Sequence, residues 1–158
     1  MTSLKSLLGK QILFFDGGTG SVLQARGLKP GEFPEKWNVT RPEEIISLHY
    51  NYFSAGSNIV NTNTFGAFST KFSDLTTYKK NFNGTQNVKN SAMRVISGEN
   101  ADFSLKIIIQ CAIENANEAR RRYISDCKAR SVEPQPCFIT FDIGPTGKLL
   151  KPMGDLDF

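Results

Sequence analysis

Soft metal ligands are scarce in this chain: 158 residues include three cysteines and one histidine. Cys111, Cys127 and Cys137 form an odd set without C-x-x-C spacing, and no second histidine accompanies His49. Neither a disulfide framework nor a zinc site can be read from them, and free, buried thiols are the expectation. Long apolar runs are also lacking. No stretch suits a bilayer span, and Met1 to Lys10 has neither the apolar core nor the small-residue cleavage site of a signal peptide. A cytoplasmic protein without membrane contact is expected, so the N-x-[ST] triplets at Asn38 and Asn83 carry no weight. A surplus of one charge is missing too: 19 basic against 15 acidic residues leave +4. The densest basic run, Arg120-Arg121-Arg122, reads as a solvated helix face with Glu118 pairing Arg122, rather than as a nucleic-acid surface.

What is present is enough apolar residue, 39%, for one domain with a core. Three short apolar runs each end in small polar residues. Ile12-Leu13-Phe14-Phe15 leads into Asp16-Gly17-Gly18-Thr19-Gly20, and Ile59-Val60 into Asn61-Thr62-Asn63-Thr64-Phe65-Gly66. Phe138-Ile139-Thr140-Phe141 leads into Asp142-Ile143-Gly144-Pro145-Thr146-Gly147. In parallel α/β folds ligands gather where strands end, because those loops converge on one face.

Between the tips, Ser21 to Gly27 reads as a helical turn or two, and Leu28 to Trp37, broken by Pro30, Gly31 and Pro34, as a loop. Thr40-Arg41-Pro42-Glu43 has the form of a capping box opening a helix from Pro42 to Ala55, which Gly56 stops. Ile45, Leu48, His49, Tyr52 and Phe53 share its apolar face. There His49 reads as a packing or helix-surface residue rather than a ligand, while Trp37, near the mouth of the site, reads as a lid or packing residue. The polar stretch from about 70 to 100 is treated as an insertion, with a turn at Asn81-Phe82-Asn83-Gly84. Periodicity at Leu105, Ile108, Ala112, Ile113, Ala116, Tyr123, Ile124 and Cys127 predicts a helix from Phe103 to Lys128, although the Ile107 to Ile109 run also suits a strand. Strands alternating with helices imply right-handed parallel crossovers.

The first tip alone admits two readings beyond a simple turn. One is a phosphate-cradling loop like that of the actin and sugar-kinase ATPases; those continue with a β-hairpin, for which Val22 to Gly27 shows no alternation. The other takes all three tips in order: Asp-Gly after strand one, Asn-Thr-Phe after strand two, Gly-Pro-Thr after strand three. With Ala55-Gly56-Ser57-Asn58 before the second strand, they resemble the homocysteine-binding domain of cobalamin-dependent methionine synthase, a homocysteine S-methyltransferase. The resemblance covers Ile12 to Ala67 and Asp102 onward.

That resemblance implies an α/β fold, the N-terminal portion of a (βα)8 TIM barrel with about three βα units, spanning residues 1–158 as one incomplete domain. A full barrel of this type needs roughly 250 residues. It implies homocysteine as ligand, with zinc and methylcobalamin as the family's cofactors and methionine as product. A free thiol titrates near ~8.5 and only the thiolate attacks a methyl group, which is what a zinc ligand would correct. By motif match Asp16 and the Gly17 backbone would hold the amino group or carboxylate, and Asn63, Thr64, Gly144 and Thr146 would line the pocket. The family's zinc cysteines, two of them in a Gly-Gly-Cys-Cys run, have no counterpart here. The chain alone is therefore expected to hold neither cofactor and to transfer no methyl group, with a downstream segment or second chain completing the barrel. The competing expectations are an inactive remnant or amino-acid-binding α/β module, and the ATPase-like domain.

Overall fold

A computed structural model describes residues 3–68, 72, 104–145, 151, 153 and 154. Apart from Phe72, the expected insertion at 70–100 lies outside the described residues, as does Thr146. In chain order the elements are α1 (Leu4–Leu7), α2 (Thr19–Ala25), a 3-10 turn (Pro34–Lys36), α3 (Trp37–Thr40), α4 (Pro42–Ala55), β1 (Ile59–Asn61), α5 (Leu105–Ala129) and β2 (Phe138–Thr140). The two strands pair in parallel, Ile59 opposite Phe138 and Asn61 opposite Thr140. Parallel neighbours need a crossover, and α4 and α5 lie in the connections.

Helix α4 has the expected bounds because its punctuation is local. Pro42 fits the first turn, where an amide N–H would lack a partner. Gly56, at φ +108°, takes the left-handed position that ends the helix, its N–H donating to Phe53 O and that of Ser57 to Tyr52 O. The capping box does not form. Thr40 closes α3 instead, its hydroxyl donating to Lys36 O at 3.1 Å, and α4 has no side-chain cap. The segment expected as an uninterrupted loop accordingly contains the 3-10 turn, and Trp37 opens α3.

Helix α5 settles the Ile107 to Ile109 ambiguity. Ser104 caps it, accepting from Ile107 N at 3.4 Å, and the run buries Ile108 against Val39, Ala67 and Phe72. Ala112, Ala116 and Ala119 are fully buried, and α5 and α4 make the broadest contact among the described elements. Ile113, expected on the buried face, is 41% exposed, and Asn115 is buried in that region instead, its amide donating to Asn38 O. Glu118 does pair with Arg122 at 2.8 Å, and Arg122 also forks onto Glu43 of α4 at 2.7 and 3.0 Å.

The expected first strand is reduced to one parallel bridge, Phe15 to Ile59. Side chains take the ladder bonds on either side of it: the Asn58 side-chain oxygen accepts the Phe14 N–H at 3.1 Å, and the Asp16 carboxylate accepts the Asn61 N–H at 2.9 Å. Phe14 and Phe15 stay 61% and 58% exposed. Three apolar clusters make the core. Leu23, Leu28, Trp37, Ile45 and Leu48 form one, Val39, Ala67, Phe72 and Ile108 another, and Phe53, Val60, Tyr123 and Cys127 the third. No described helix is long and apolar enough to cross a membrane.

Candidate functional site at the strand ends

Asn61, the last residue of β1, ties the three tips together. Its backbone N–H and side-chain amide donate to the two oxygens of Asp16 at 2.9 and 2.7 Å, while its side-chain oxygen accepts from the Thr140 hydroxyl at 2.6 Å. Below it a second set of bonds has a fixed proton order. Thr64 donates its hydroxyl proton to Asp142 O at 2.7 Å, so the 2.8 Å contact between Thr62 and Thr64 must be donated by Thr62. Thr62 in turn accepts from Asp142 N at 3.3 Å.

The loop after β1 is anchored from the other side by amides. Asn63 donates to Pro34 O at 2.9 Å and to Asn38 Oδ1 at 3.0 Å, and Asn38 donates back to Asn63 O at 2.8 Å. Glu35 accepts from Gly66 N at 2.6 Å. Buried polar groups are costly when unpaired, and this reciprocal pairing holds the loop in one arrangement.

These contacts surround a cleft of about 280 Å³ whose walls include Gly17, Glu35, Asn61, Thr62, Asn63 and Asp142. A wider depression of about 480 Å³ lies on the outer face of α5, between Lys106 and Glu114, but it has almost no polar surface and no strand end reaches it. The strand-end cleft is the site that chemistry favours.

Of the residues predicted from sequence, Gly17 and Asn63 line the cleft. Asp16 stands beside it, gripping Asn61. Burial raises its carboxyl above the ordinary range, against the lowering pull of the Asn61 donors, and the nearby Asp142 charge adds to the rise. Burial and Asp16 together raise the Tyr52 phenol, whose oxygen would lie 3.0 Å from a Cβ placed at Gly17. Thr64 and Gly144 are buried and support the loops rather than forming the wall. Gly144 donates its N–H to Phe65 O at 3.0 Å, and a Cβ there would sit 2.6 Å from that same oxygen. Gly144→Ala is therefore expected to destabilise the fold by about 1–3 kcal/mol through overpacking. Chemical denaturation checks it, and an unchanged midpoint would mean that the two tips are not held this closely.

Asn61, Thr62, Glu35 and Asp142 were not singled out from sequence. Asn61 and Thr62 open the Asn-Thr-Asn-Thr run and Asp142 sits at the third tip, so a strand-end signal marked them. Glu35 gave no signal, being one glutamate in a proline-broken stretch.

The described residues do not fit a zinc site. Cys111 and Cys127 lie on α5 and Cys137 just before β2, away from the strand ends, and all three are free. Burial raises the Cys111 thiol and pushes that of Cys137 up to about 11, and among the described residues no three His, Cys, Asp or Glu side chains are grouped to hold a metal. His49 is wholly buried, and neither ring nitrogen has a partner among the described residues. Trp37 is a core residue rather than a lid, fully buried, with its indole N–H donating to Glu32 at 2.9 Å. Helix α2 occupies the place where the ATPase reading requires a hairpin.

Comparison with known proteins agrees with the order of the tips. The family model for homocysteine S-methyltransferase matches residues 13–158. Methionine synthase of Mycobacterium tuberculosis is 39% identical over 71 residues, and that of Mycobacterium leprae 37% over 71. Each alignment covers 41% of this chain and 6% of the relative, so the matched part is a small piece of a much longer protein. The metallated form of the homocysteine methyltransferase MmuM from Escherichia coli superposes with a TM-score of 0.62 at 23% identity, over 91% of this chain and 42% of that one. Its oxidized form gives 0.63 at 24%, over 91% and 41%. At that identity the likeness is one of fold, and it extends to the helices and parallel strands described above. With nearly the whole chain matched by the family model, the protein belongs to the homocysteine S-methyltransferase family.

Proposed function

We propose that the chain is the substrate-recognition portion of a homocysteine S-methyltransferase, the first three or so βα units of a (βα)8 barrel. Its cleft receives homocysteine, whose thiol is methylated to give methionine. The observation that carries this reading is the tie from Asp16 through Asn61 to Thr140, which gathers three strand ends around one small, acidic cleft. An amino acid brings an ammonium group that an acidic wall attracts, and Asp16, already oriented by Asn61, supplies a charge-assisted contact for it. Gly17 and Asn63 form the wall against the ligand's backbone, with Thr64 and Gly144 holding the loops behind them. Thr146, outside the described residues, completes the pocket in this proposal. So ordered a polar network favours a working pocket over a remnant.

Methyl transfer is assigned to a larger assembly. Zinc and methylcobalamin belong to the family by resemblance, the thiols described here do not fit the metal, and a downstream segment or second chain is proposed to bring the ligands and the remaining strands. The chain acts in the cytoplasm and contacts neither nucleic acid nor membrane in this proposal.

An NMR titration of the 158-residue chain with reduced L-homocysteine tests the recognition role. Saturable shifts are expected at the amides of Gly17, Asn61 and Asn63, and Asp16→Asn is expected to weaken binding by about tenfold or more, the value of a charged hydrogen bond. Shifts confined to the outer face of α5, or an Asp16→Asn affinity equal to the original, would refute it.

A further inference from the structure

The Pro34–Lys36 turn carries a carboxylate whose hydrogen bonding is incomplete. Glu35 is 3% exposed, and Oε1 is engaged by Gly66 N at 2.6 Å. Oε2 is buried and has no donor among the described residues. A buried carboxylate oxygen without a partner costs more than almost any other polar defect, so it persists where something else supplies the donor. Glu35 forms part of the cleft wall, and among the described residues no lysine, arginine or histidine lines that cleft. Asp16 differs in this respect, since Asn61 already donates to each of its oxygens.

We propose that Glu35 is a second recognition carboxylate, whose free oxygen takes the ammonium group of the bound α-amino acid. This rests on the homocysteine reading above and adds to it a residue that the strand-end motifs do not contain. An ammonium group fits the need: it is cationic, it brings three donors, and it is small enough for the cleft. A metal ion does not fit, because no three His, Cys, Asp or Glu side chains among the described residues are grouped to hold one. With the ligand in place the Glu35 carboxylate spans two partners, the Gly66 N–H on one oxygen and the ammonium on the other. Ligand binding is thereby joined directly to the loop that follows β1.

Glu35→Gln tests this without removing the loop anchor, because the amide oxygen can still accept from Gly66 while the second position becomes an N–H₂ donor. The full chain is titrated with L-homocysteine and with 4-mercaptobutanoate, which keeps the thiol and carboxylate and lacks the ammonium group. The substitution is expected to weaken homocysteine about tenfold or more and to leave 4-mercaptobutanoate unchanged. In the unsubstituted chain, the ¹³C carboxyl resonance of Glu35 is expected to move with homocysteine and stay still with the analogue, a readout independent of how well the variant folds. Equal homocysteine affinity in both proteins, an equal loss for both ligands, or a Glu35 resonance unmoved by bound homocysteine would each overturn the role of Glu35 and leave the homocysteine reading standing. Failure of the unsubstituted chain to bind homocysteine at all would overturn both.

Discussion

Lowering the pH from 7 to 4 is expected to remove roughly 3 kcal/mol of stability through His49 alone. The side chain is completely buried on α4, and neither ring nitrogen has a partner among the described residues. Burial disfavours the imidazolium and pushes the pKa down from 6.5 to about 4. A depressed histidine pKa means that the unfolded chain binds the proton more tightly. The contribution is therefore fully present above pH 6.5 and is lost as the pH falls toward 4. Asp16 works the other way, since a raised carboxyl pKa favours the folded state as acid is added. Glu43, lowered by its bond to Arg122, and Glu32, lowered by the Trp37 indole, lose their contributions only below the ordinary glutamate range. Denaturation midpoints at pH 7, 5.5 and 4 for the natural chain and for His49→Leu separate these terms, because the leucine keeps a similar volume and removes the titration. The variant is expected to lose much less stability across that window. Parallel curves for the two proteins would show that His49 does not reside in this dry environment.

Features set by neighbours in sequence were legible, and features set by distant side chains were not. Pro42 and Gly56 bracket α4 because each acts on its own backbone, and the apolar period of α5 survives in the buried Ile108, Ala112, Ala116, Tyr123 and Cys127. The capping box at Thr40 does not form because a serine or threonine hydroxyl has a second option, the carbonyl four residues back, which Lys36 supplies from the end of the 3-10 turn. The first strand is only a bridge, with the Asn58 side chain on Phe14, 44 residues away, and the Asp16 side chain on Asn61, 45 residues away, in the places of backbone partners. At the site the same division holds. Asp16 and Asn63 sit at strand ends and could be found, but Glu35 gains its meaning from Gly66, 31 residues away. No spacing rule connects a glutamate in a proline-broken turn with a glycine after a distant strand.

Trp37→Ala is expected to destabilise the chain by about 3–5 kcal/mol, against a total for ordinary domains of roughly 5–15 kcal/mol. The indole is fully buried among Leu23, Leu28, Ile45 and Leu48, so truncation leaves a cavity bounded by α2 and α4 that neither helix can close cheaply. Its edges are also engaged, the N–H by Glu32 at 2.9 Å and the ring face by the Arg41 guanidinium at 4.3 Å. Trp37→Phe keeps much of the packing and of the cation contact, leaves a smaller cavity and releases Glu32, whose carboxylate water can satisfy, so a loss of about 1–2 kcal/mol is expected. Urea denaturation of the two variants measures this order, and a lid would give the opposite pattern, weaker ligand binding with an unchanged midpoint. The core position also bears on the cleft. Trp37 follows directly on the Pro34–Lys36 turn, and that turn places Pro34 O on Asn63 and Glu35 on Gly66. Loosening the indole releases the anchor of the loop after β1, so the alanine variant is expected to lose ligand affinity as a consequence of lost packing, with both losses smaller in the phenylalanine variant.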